Sequence, residues 1–137
     1  MINKRPYQKL LRKMLTLEII GEKLYSALAL KVKDKNLKSI YQKLAVNESQ
    51  TGACIEKELK ISCENTSMLY KIFISNTAGL FFSLFSARIL LAILENALKK
   101  RVYSRWHKLY NSDNQEFWGI LLQHEDIQRE FLNLSGG

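Results

Sequence analysis

Four glutamates stand at matched positions in two segments of the chain: Glu18 and Glu48, and then Glu95 and Glu125, each 77 positions further on. In both segments the two glutamates lie on either side of a polar, turn-like stretch. Carboxylates can bind divalent metals, and buried pairs of them can share a proton. The internal repeat therefore suggests that the four side chains act together.

Helices are predicted for most of the chain, because Leu, Lys and Glu abound and the only proline, Pro6, lies near the N-terminus. Apolar positions at helical spacing predict helices over residues 7–33, 37–59, 77–110 and 114–133. The break between the first two helices is so short that they must be antiparallel neighbours. We expect a single all-α domain over residues 1–137, an antiparallel four-helix bundle of two hairpins joined by a longer crossover.

All four glutamates fall in the three-four rows that a helical bundle fills with apolar side chains. At a rise of about 1.5 Å per residue, the two glutamates of each segment lie roughly 20 Å from their turn, and hence at one height. If the two hairpins pack against each other, the four carboxylates meet in the middle of the core.

A buried cluster of carboxylates needs compensation, because each buried charge costs several kcal/mol and like charges repel. Divalent metals can neutralise the charge, Lys or Arg can pair with it, or some glutamates can keep a proton. The same stripes carry no Lys or Arg near these positions except Arg88, two turns before Glu95. Metals or shared protons are therefore the better candidates.

From about residue 8 to residue 133 the chain resembles the ferritin-like superfamily, in particular its rubrerythrin-related branch. The most specific part is Glu18 seven residues before Tyr25, followed by Leu28-Ala29 and then by Leu44-Ala45 and Glu48. The crossover and its apolar helix are also similar to the demethoxyubiquinone hydroxylase branch, whose members touch membranes. The resemblance implies a ferritin-like di-metal oxidoreductase that holds two iron or manganese ions for oxygen or peroxide chemistry, with ligands Glu18, Glu48, Glu95 and Glu125.

Both histidines of the family motif are replaced in this chain. Thr51 and Gln128 stand three residues after Glu48 and Glu125, where the family has its imidazoles. We expect Thr51 and Gln128 to be weaker ligands, and four carboxylates with a hydroxyl and an amide form an oxygen-only set. Such a set suits Mg, Mn or Ca better than a tuned iron pair.

Three further side chains are predicted to lie behind the ligands rather than to bind metal themselves. His124 immediately precedes Glu125 and points about 100° away from it around the helix. Tyr25 and Tyr103 lie near the predicted carboxylate cluster and are expected to be core residues or hydrogen-bond donors to it.

The net charge of +8 can attract phosphate, nucleic acid or anionic lipid, but the chain has no recognised nucleic-acid motif, so nucleic acid is not expected as a partner. The apolar segment Leu80–Leu91 predicts a contact between copies of the chain or peripheral contact with a membrane. Polar residues interrupt residues 72–94, which argues against a membrane span. Cys54 and Cys63 match neither a zinc spacing nor a disulfide framework, so we expect a cytoplasmic protein, with membrane association as an alternative.

Three hypotheses about function follow. The first is a ferritin-like metal-binding oxidoreductase with an altered ligand set. The second is a metal-free relative that serves as an interaction or scaffold protein. The third is a basic protein that binds a membrane surface or nucleic acid, and it ranks last because no motif supports it.

Overall fold

The computed structural model describes residues 4–61, 67–98, 102–110 and 114–134, and nearly all of them are helical, so the predicted all-α class is confirmed for this part of the chain. Cys63 lies outside the described residues. The helices are α1 Lys4–Lys31, α2 Lys35–Ile61, α3 Met68–Ser83, α4 Ala87–Leu98, α5 Val102–Tyr110 and α6 Gln115–Leu134.

The first two helices form the predicted hairpin. The carboxylate of Asp34 accepts hydrogen bonds from the backbone N–H groups of Asn36, at 2.8 Å, and Leu37, at 3.0 Å, and so caps the start of α2. The rings of Tyr25 and Tyr41 stack across the hairpin with centroids 6.4 Å apart. The two helices are therefore antiparallel, as the short polar break between them predicts.

The prediction of one continuous helix over residues 77–110 is wrong. α3 already begins at Met68, where the hydroxyl of Ser67 caps it, and it ends at Ser83. The ammonium group of Lys31 donates hydrogen bonds to the carbonyls of Phe82 at 2.9 Å, Ser83 at 3.0 Å and Phe85. No Gly or Pro marks this break in the sequence, so local propensity does not reveal it. Instead, a lysine that is distant in the sequence binds carbonyls at the helix end.

Replacing Lys31 by alanine is expected to destabilise the protein by about 1–3 kcal/mol, because carbonyls at the end of α3 lose a charged donor. Lys33→Ala is the matched control, since Lys33 is exposed and lies in the loop two residues later. Urea denaturation of both variants measures the difference. Equal stability of the two variants would contradict the role of Lys31.

The remaining helices pack around the hairpin in directions that side-chain contacts define. α3 runs parallel to α1, since the hydroxyls of Thr16 and Tyr70 lie 2.9 Å apart near the start of α3 and Lys31 binds its end. α6 runs antiparallel to α2, with Asn114 bonded to Glu58 at 3.1 Å at one end of the contact. α5 runs antiparallel to α6, where the rings of His107 and Trp118 lie 6.0 Å apart.

The buried apolar side chains form two clusters, and a polar layer separates them. One cluster contains Leu28, Leu44 and Leu90, and the other contains Leu11, Ile55, Trp118 and Leu121, among others. Four buried polar side chains of α1, α2 and α6 lie between the residues of the two clusters: Glu18, Glu48, Thr51 and His124. A further one, Glu58, lies next to Leu59 of the second cluster. The fold therefore places ionisable groups at mid-height in its core.

The segment predicted to mediate oligomer or membrane contact has a mixed exposure. Leu80 and Leu84 are 68% and 74% exposed, whereas Leu90 is fully buried. Contact through Leu80–Leu91, with another copy or with a membrane, stays a prediction. No helix in the described part of the chain has both the length and the apolar character that crossing a membrane requires.

Candidate metal site

Three buried side chains from three helices converge in the polar layer. Glu18 of α1, Glu48 of α2 and His124 of α6 each present one ligand atom, and these atoms lie within 4.8 Å of one another. The Nε2 atom of His124 is 3.4 Å from Oε1 of Glu18 and 3.4 Å from Oε1 of Glu48. Less than 5% of each residue is exposed. Two carboxylates and an imidazole are thus held together away from water.

Glycine makes the close approach of α1 and α2 at this level feasible. A Cβ atom built on Gly21 would lie 2.7 Å from Oε2 of Glu48 and 2.9 Å from its carboxyl carbon. One helix turn along from Glu48, a Cβ atom on Gly52 would meet Glu18 at an ordinary 3.6 Å. The space beside Gly21 is therefore filled by the carboxylate of Glu48 itself.

Neighbouring side chains orient both carboxylates. The hydroxyl of Tyr103 donates a hydrogen bond to Oε1 of Glu18, and the amide of Gln128 donates one to Oε1 of Glu48. The remaining buried oxygen of Glu18, Oε2, has no hydrogen-bond partner among the described residues. A buried carboxylate oxygen without a partner is costly, so it marks a place for a cation or a proton.

Two side chains of α2 contact the other ring nitrogen of His124, Nδ1. Nδ1 lies 2.7 Å from the hydroxyl of Thr51 and 2.8 Å from the amide nitrogen of Asn47. When that amide N–H donates, Nδ1 accepts and the ring proton lies on Nε2, which faces the two carboxylates. When Nε2 binds a metal, the proton lies on Nδ1, the hydroxyl of Thr51 accepts it, and the amide of Asn47 turns its oxygen toward the ring. This is the arrangement in which a second partner fixes the ring of a metal-binding histidine.

Burial changes the protonation of both carboxylates in the absence of a cation. Burial and the adjacent charge of Glu48 raise the pKa of Glu18 well above its usual value, and the hydrogen bond that Glu18 can donate to Glu48 once it is protonated raises it further. Burial also raises the pKa of Glu48 from 4.5 to about 7, with a further increase from the charge of Glu22 and an opposing effect of its hydrogen bonds to Glu18 and Gln128. Without a metal, the pair therefore shares a proton near neutral pH.

Burial lowers the pKa of His124, although the charges of Glu18 and Glu125 oppose this effect. Its imidazole is thus neutral near pH 7, which is the form that binds metals. Burial and the two carboxylates raise the pKa of Tyr25 and of Tyr103, so both phenols keep their protons.

A pocket of about 210 Å³ reaches the three ligand groups. Its floor contains Glu18, Glu48, His124 and the two tyrosines. Its walls are largely apolar and come from α1, α3 and α4; they include Leu17, Ile20, Leu24, Phe82, Ile93 and Leu94. The pocket gives small molecules access to the polar layer.

No protein-family model, curated protein or solved structure matches this chain. The similarity to the ferritin-like superfamily therefore stays a prediction, and the site is interpreted from its own geometry.

The prediction that all four glutamates face the core is wrong for Glu95, whose side chain is exposed. α4 buries Leu90 and Leu94, which lie one turn apart, and Glu95 points about 100° away from Leu94. Leu91 and Leu98, which share the predicted row with Glu95, are only half-buried. Glu95 matches Glu18 in the sequence repeat, but it does not join Glu18 in the site.

Glu125 lies at the edge of the site. It is half-buried, it lines the pocket, and its Oε1 accepts a hydrogen bond from the backbone N–H of Tyr103 at 2.8 Å. Glu125 therefore fixes the start of α5, whose Tyr103 in turn binds Glu18. The predicted weaker ligands, Thr51 and Gln128, contact His124 and Glu48 respectively and position them.

The expectation that the site lacks histidine is wrong, because His124 lies at its centre. The sequence does contain a signal for this position: Phe117, Leu121, His124 and Gln128 follow one another at spacings of four, three and four. This row matches the spacing of a buried helix face as well as the row that contains Glu125 does. The match between Glu125 and Glu48 in the repeat favoured the carboxylate over the imidazole.

Proposed function

We propose that the protein binds one divalent metal ion through Glu18, Glu48 and His124. The observation that supports this most strongly is the convergence of two buried carboxylates and an imidazole nitrogen within 4.8 Å. The oxygen of Glu18 without a hydrogen-bond partner among the described residues adds to it. One divalent ion balances the charge of the two carboxylates, so that the charge of this pair is compensated within the core.

We also propose that α1, α2, α6 and the α4–α5 pair form a four-helix arrangement of the ferritin-like kind, with α3 packed outside. The directions of the helices support it. α2 and α5 both run antiparallel to α1, since Tyr7 contacts Glu58 and the hydroxyl of Tyr103 binds Glu18. One long connection, which contains α3, then joins two antiparallel hairpins.

The ligand set favours manganese, iron or zinc over magnesium or calcium, because an imidazole nitrogen is present and the last two prefer oxygen ligands. It also favours one ion rather than the two of the family. Glu95 is exposed, and Glu125 bonds the backbone of Tyr103, so neither supplies the carboxylates that a second ion needs.

An iron or manganese ion bound here supplies one-electron chemistry toward oxygen or peroxide, and this remains the proposed activity. The residues of the chain position the ligands and control access. Tyr103 and Gln128 each bind one carboxylate, and Thr51 orients the ring of His124. The pocket admits small molecules, and its apolar walls limit the water that follows them.

The test is metal analysis of protein loaded with Fe²⁺, Mn²⁺ or Zn²⁺ and then dialysed. The wild-type protein is expected to keep one ion per chain, and Glu48→Gln and His124→Ala are expected to bind it at least roughly a hundredfold more weakly. Glu95→Gln is the matched control, since it removes the same charge from an exposed position. It should bind metal like the wild type.

Two outcomes contradict the proposal. The first is a wild-type protein that retains none of the three metals, which would favour the metal-free interaction protein instead. The second is equal loss of metal in Glu95→Gln and Glu48→Gln, which would place the metal elsewhere. Circular dichroism of each variant confirms that the helices persist.

A further inference from the structure

The pocket above the carboxylates combines a polar floor with apolar walls, and this combination defines a class of ligand. We propose that it binds a small, neutral, largely apolar molecule with one oxygen acceptor, and that the hydroxyl of Tyr25 donates a hydrogen bond to that oxygen. The pocket walls, the floor and Tyr25 each support one part of this description.

The walls select an apolar body of limited size. Apolar side chains of α1, α3 and α4, such as Leu24, Phe82 and Leu94, surround a volume of about 210 Å³. A cavity of roughly 150 Å³ with similar walls stays dry and accepts benzene. The pocket therefore accommodates a benzene ring with a small substituent.

The floor selects a neutral molecule. The described lining contains the carboxylates of Glu18, Glu48 and Glu125, together with Arg129, which follows Glu125 by one helix turn. An anion would meet the carboxylates of the floor. A divalent ion, if it binds as proposed above, already balances the charge of Glu18 and Glu48, and this step of the inference rests on the proposed function.

Tyr25 provides the polar contact. Only 1% of this residue is exposed, it lines the pocket, and its hydroxyl has no hydrogen-bond partner among the described residues. A buried hydroxyl without a partner is costly. A carbonyl or ether oxygen at the inner end of the ligand would accept its hydrogen bond.

Calorimetric titration of the protein prepared without added metal, in which the floor keeps its negative charge, tests the ligand class with three probes of one shape. Acetophenone has an apolar ring and a carbonyl, α-methylstyrene replaces the carbonyl oxygen by carbon, and benzoate adds a negative charge. Acetophenone is expected to bind most tightly and benzoate not at all. Absence of acetophenone binding, or equal binding of benzoate, would overturn the inference.

Two alanines of α4 provide a matched pair for locating the bound probe. Ala92 and Ala97 are both exposed, but only Ala97 is among the residues that line the pocket. Ala97→Phe is expected to abolish acetophenone binding, and Ala92→Phe is expected to leave it unchanged. Equal binding by the two variants would place the probe outside this pocket and refute the proposal.

Tyr25→Phe tests the hydrogen bond separately from the packing. It should weaken acetophenone binding about three- to tenfold and leave α-methylstyrene binding unchanged. Equal weakening of both probes would show that Tyr25 acts only through packing and would overturn its proposed role.

The titration of Glu48→Gln separates this inference from the proposed metal site. That variant removes one carboxylate charge from the floor and leaves the apolar walls and Tyr25 unchanged. Acetophenone should therefore bind to it even though the metal is lost. Binding there with no metal in the wild type would refute the metal site alone, and metal binding without any acetophenone binding would refute the pocket alone.

Discussion

Glu48→Gln is expected to raise the melting temperature of the metal-free protein by about 10 °C at alkaline pH, although it alters a buried residue. Burial raises the pKa of Glu48 from 4.5 to about 7, which corresponds to on the order of 3 kcal/mol of unfavourable free energy for the ionised form. A glutamine has the same shape and no charge. Its amide oxygen can still accept the hydrogen bond from Gln128.

The raised pKa of Glu48 determines how the stability of the wild-type protein changes with pH. Between pH 4.5, the usual pKa of an unfolded glutamate, and about pH 7, the folded chain binds more protons than the unfolded chain. The stability that Glu48 contributes is therefore fully present below pH 4.5 and is lost as the pH rises through about 7. Glu18 has the same sign, since its pKa is also raised. The wild-type melting temperature should fall over this range more steeply than that of Glu48→Gln.

Metal reverses the order of stability. Excess Mn²⁺ or Zn²⁺ stabilises only the protein that binds it, so the wild type should gain stability and Glu48→Gln should not. Because the metal competes with protons for the carboxylates, the gain should increase as the pH rises. Glu95→Gln serves as the control, with a melting curve like that of the wild type. A Glu48→Gln variant less stable than the wild type at every pH would show that the ionised carboxylate contributes favourably to the fold.

The first hairpin and its two glutamates could be predicted from the sequence because local rules determine them. A short polar break with Asp34 as the cap makes α1 and α2 antiparallel neighbours. Glu18 and Glu48 lie at matched distances from that break and on apolar rows of long, regular helices. Their inward position is confirmed, with both side chains buried.

The second half of the site could not be predicted, because packing rather than periodicity determines it. Lys31 of the first hairpin ends α3 at a place without a breaker residue, and the short helix α4 then turns Leu94 rather than Glu95 inward. In α6, His124 and Glu125 are adjacent, and the apolar spacing allows either of them to face the core. The position of α2, whose Thr51 and Asn47 bind the imidazole, determines that His124 is the one that faces it.

Gly21→Ala is expected to weaken metal binding at least roughly tenfold while the fold persists. The added Cβ atom would lie 2.7 Å from Oε2 of Glu48, closer than such atoms approach, so something must move. The atom it meets is the end of a side chain and not a backbone atom. The carboxylate of Glu48 therefore moves, and the contact between α1 and α2 remains.

The stability of the metal-free Gly21→Ala protein should change by less than about 1 kcal/mol, because two effects oppose each other. Alanine favours the interior of a helix over glycine by roughly 0.5–1 kcal/mol. Displacing a buried side chain costs a comparable amount or somewhat more. Gly21→Ala is thus expected to change metal affinity much more than stability. This is what we expect of a residue whose role is to leave room for a metal-binding carboxylate.

Two other glycines provide the controls. Gly119 is exposed within α6 and has no atom within 4 Å of an added Cβ, so Gly119→Ala should stabilise the protein and leave metal affinity unchanged. Gly52→Ala introduces only ordinary contacts of 3.6 Å with Glu18 and 3.7 Å with Leu15. It should retain most of the metal affinity. If Gly52→Ala weakened binding as much as Gly21→Ala, the effect would come from general disturbance of the hairpin and not from displacement of the Glu48 carboxylate.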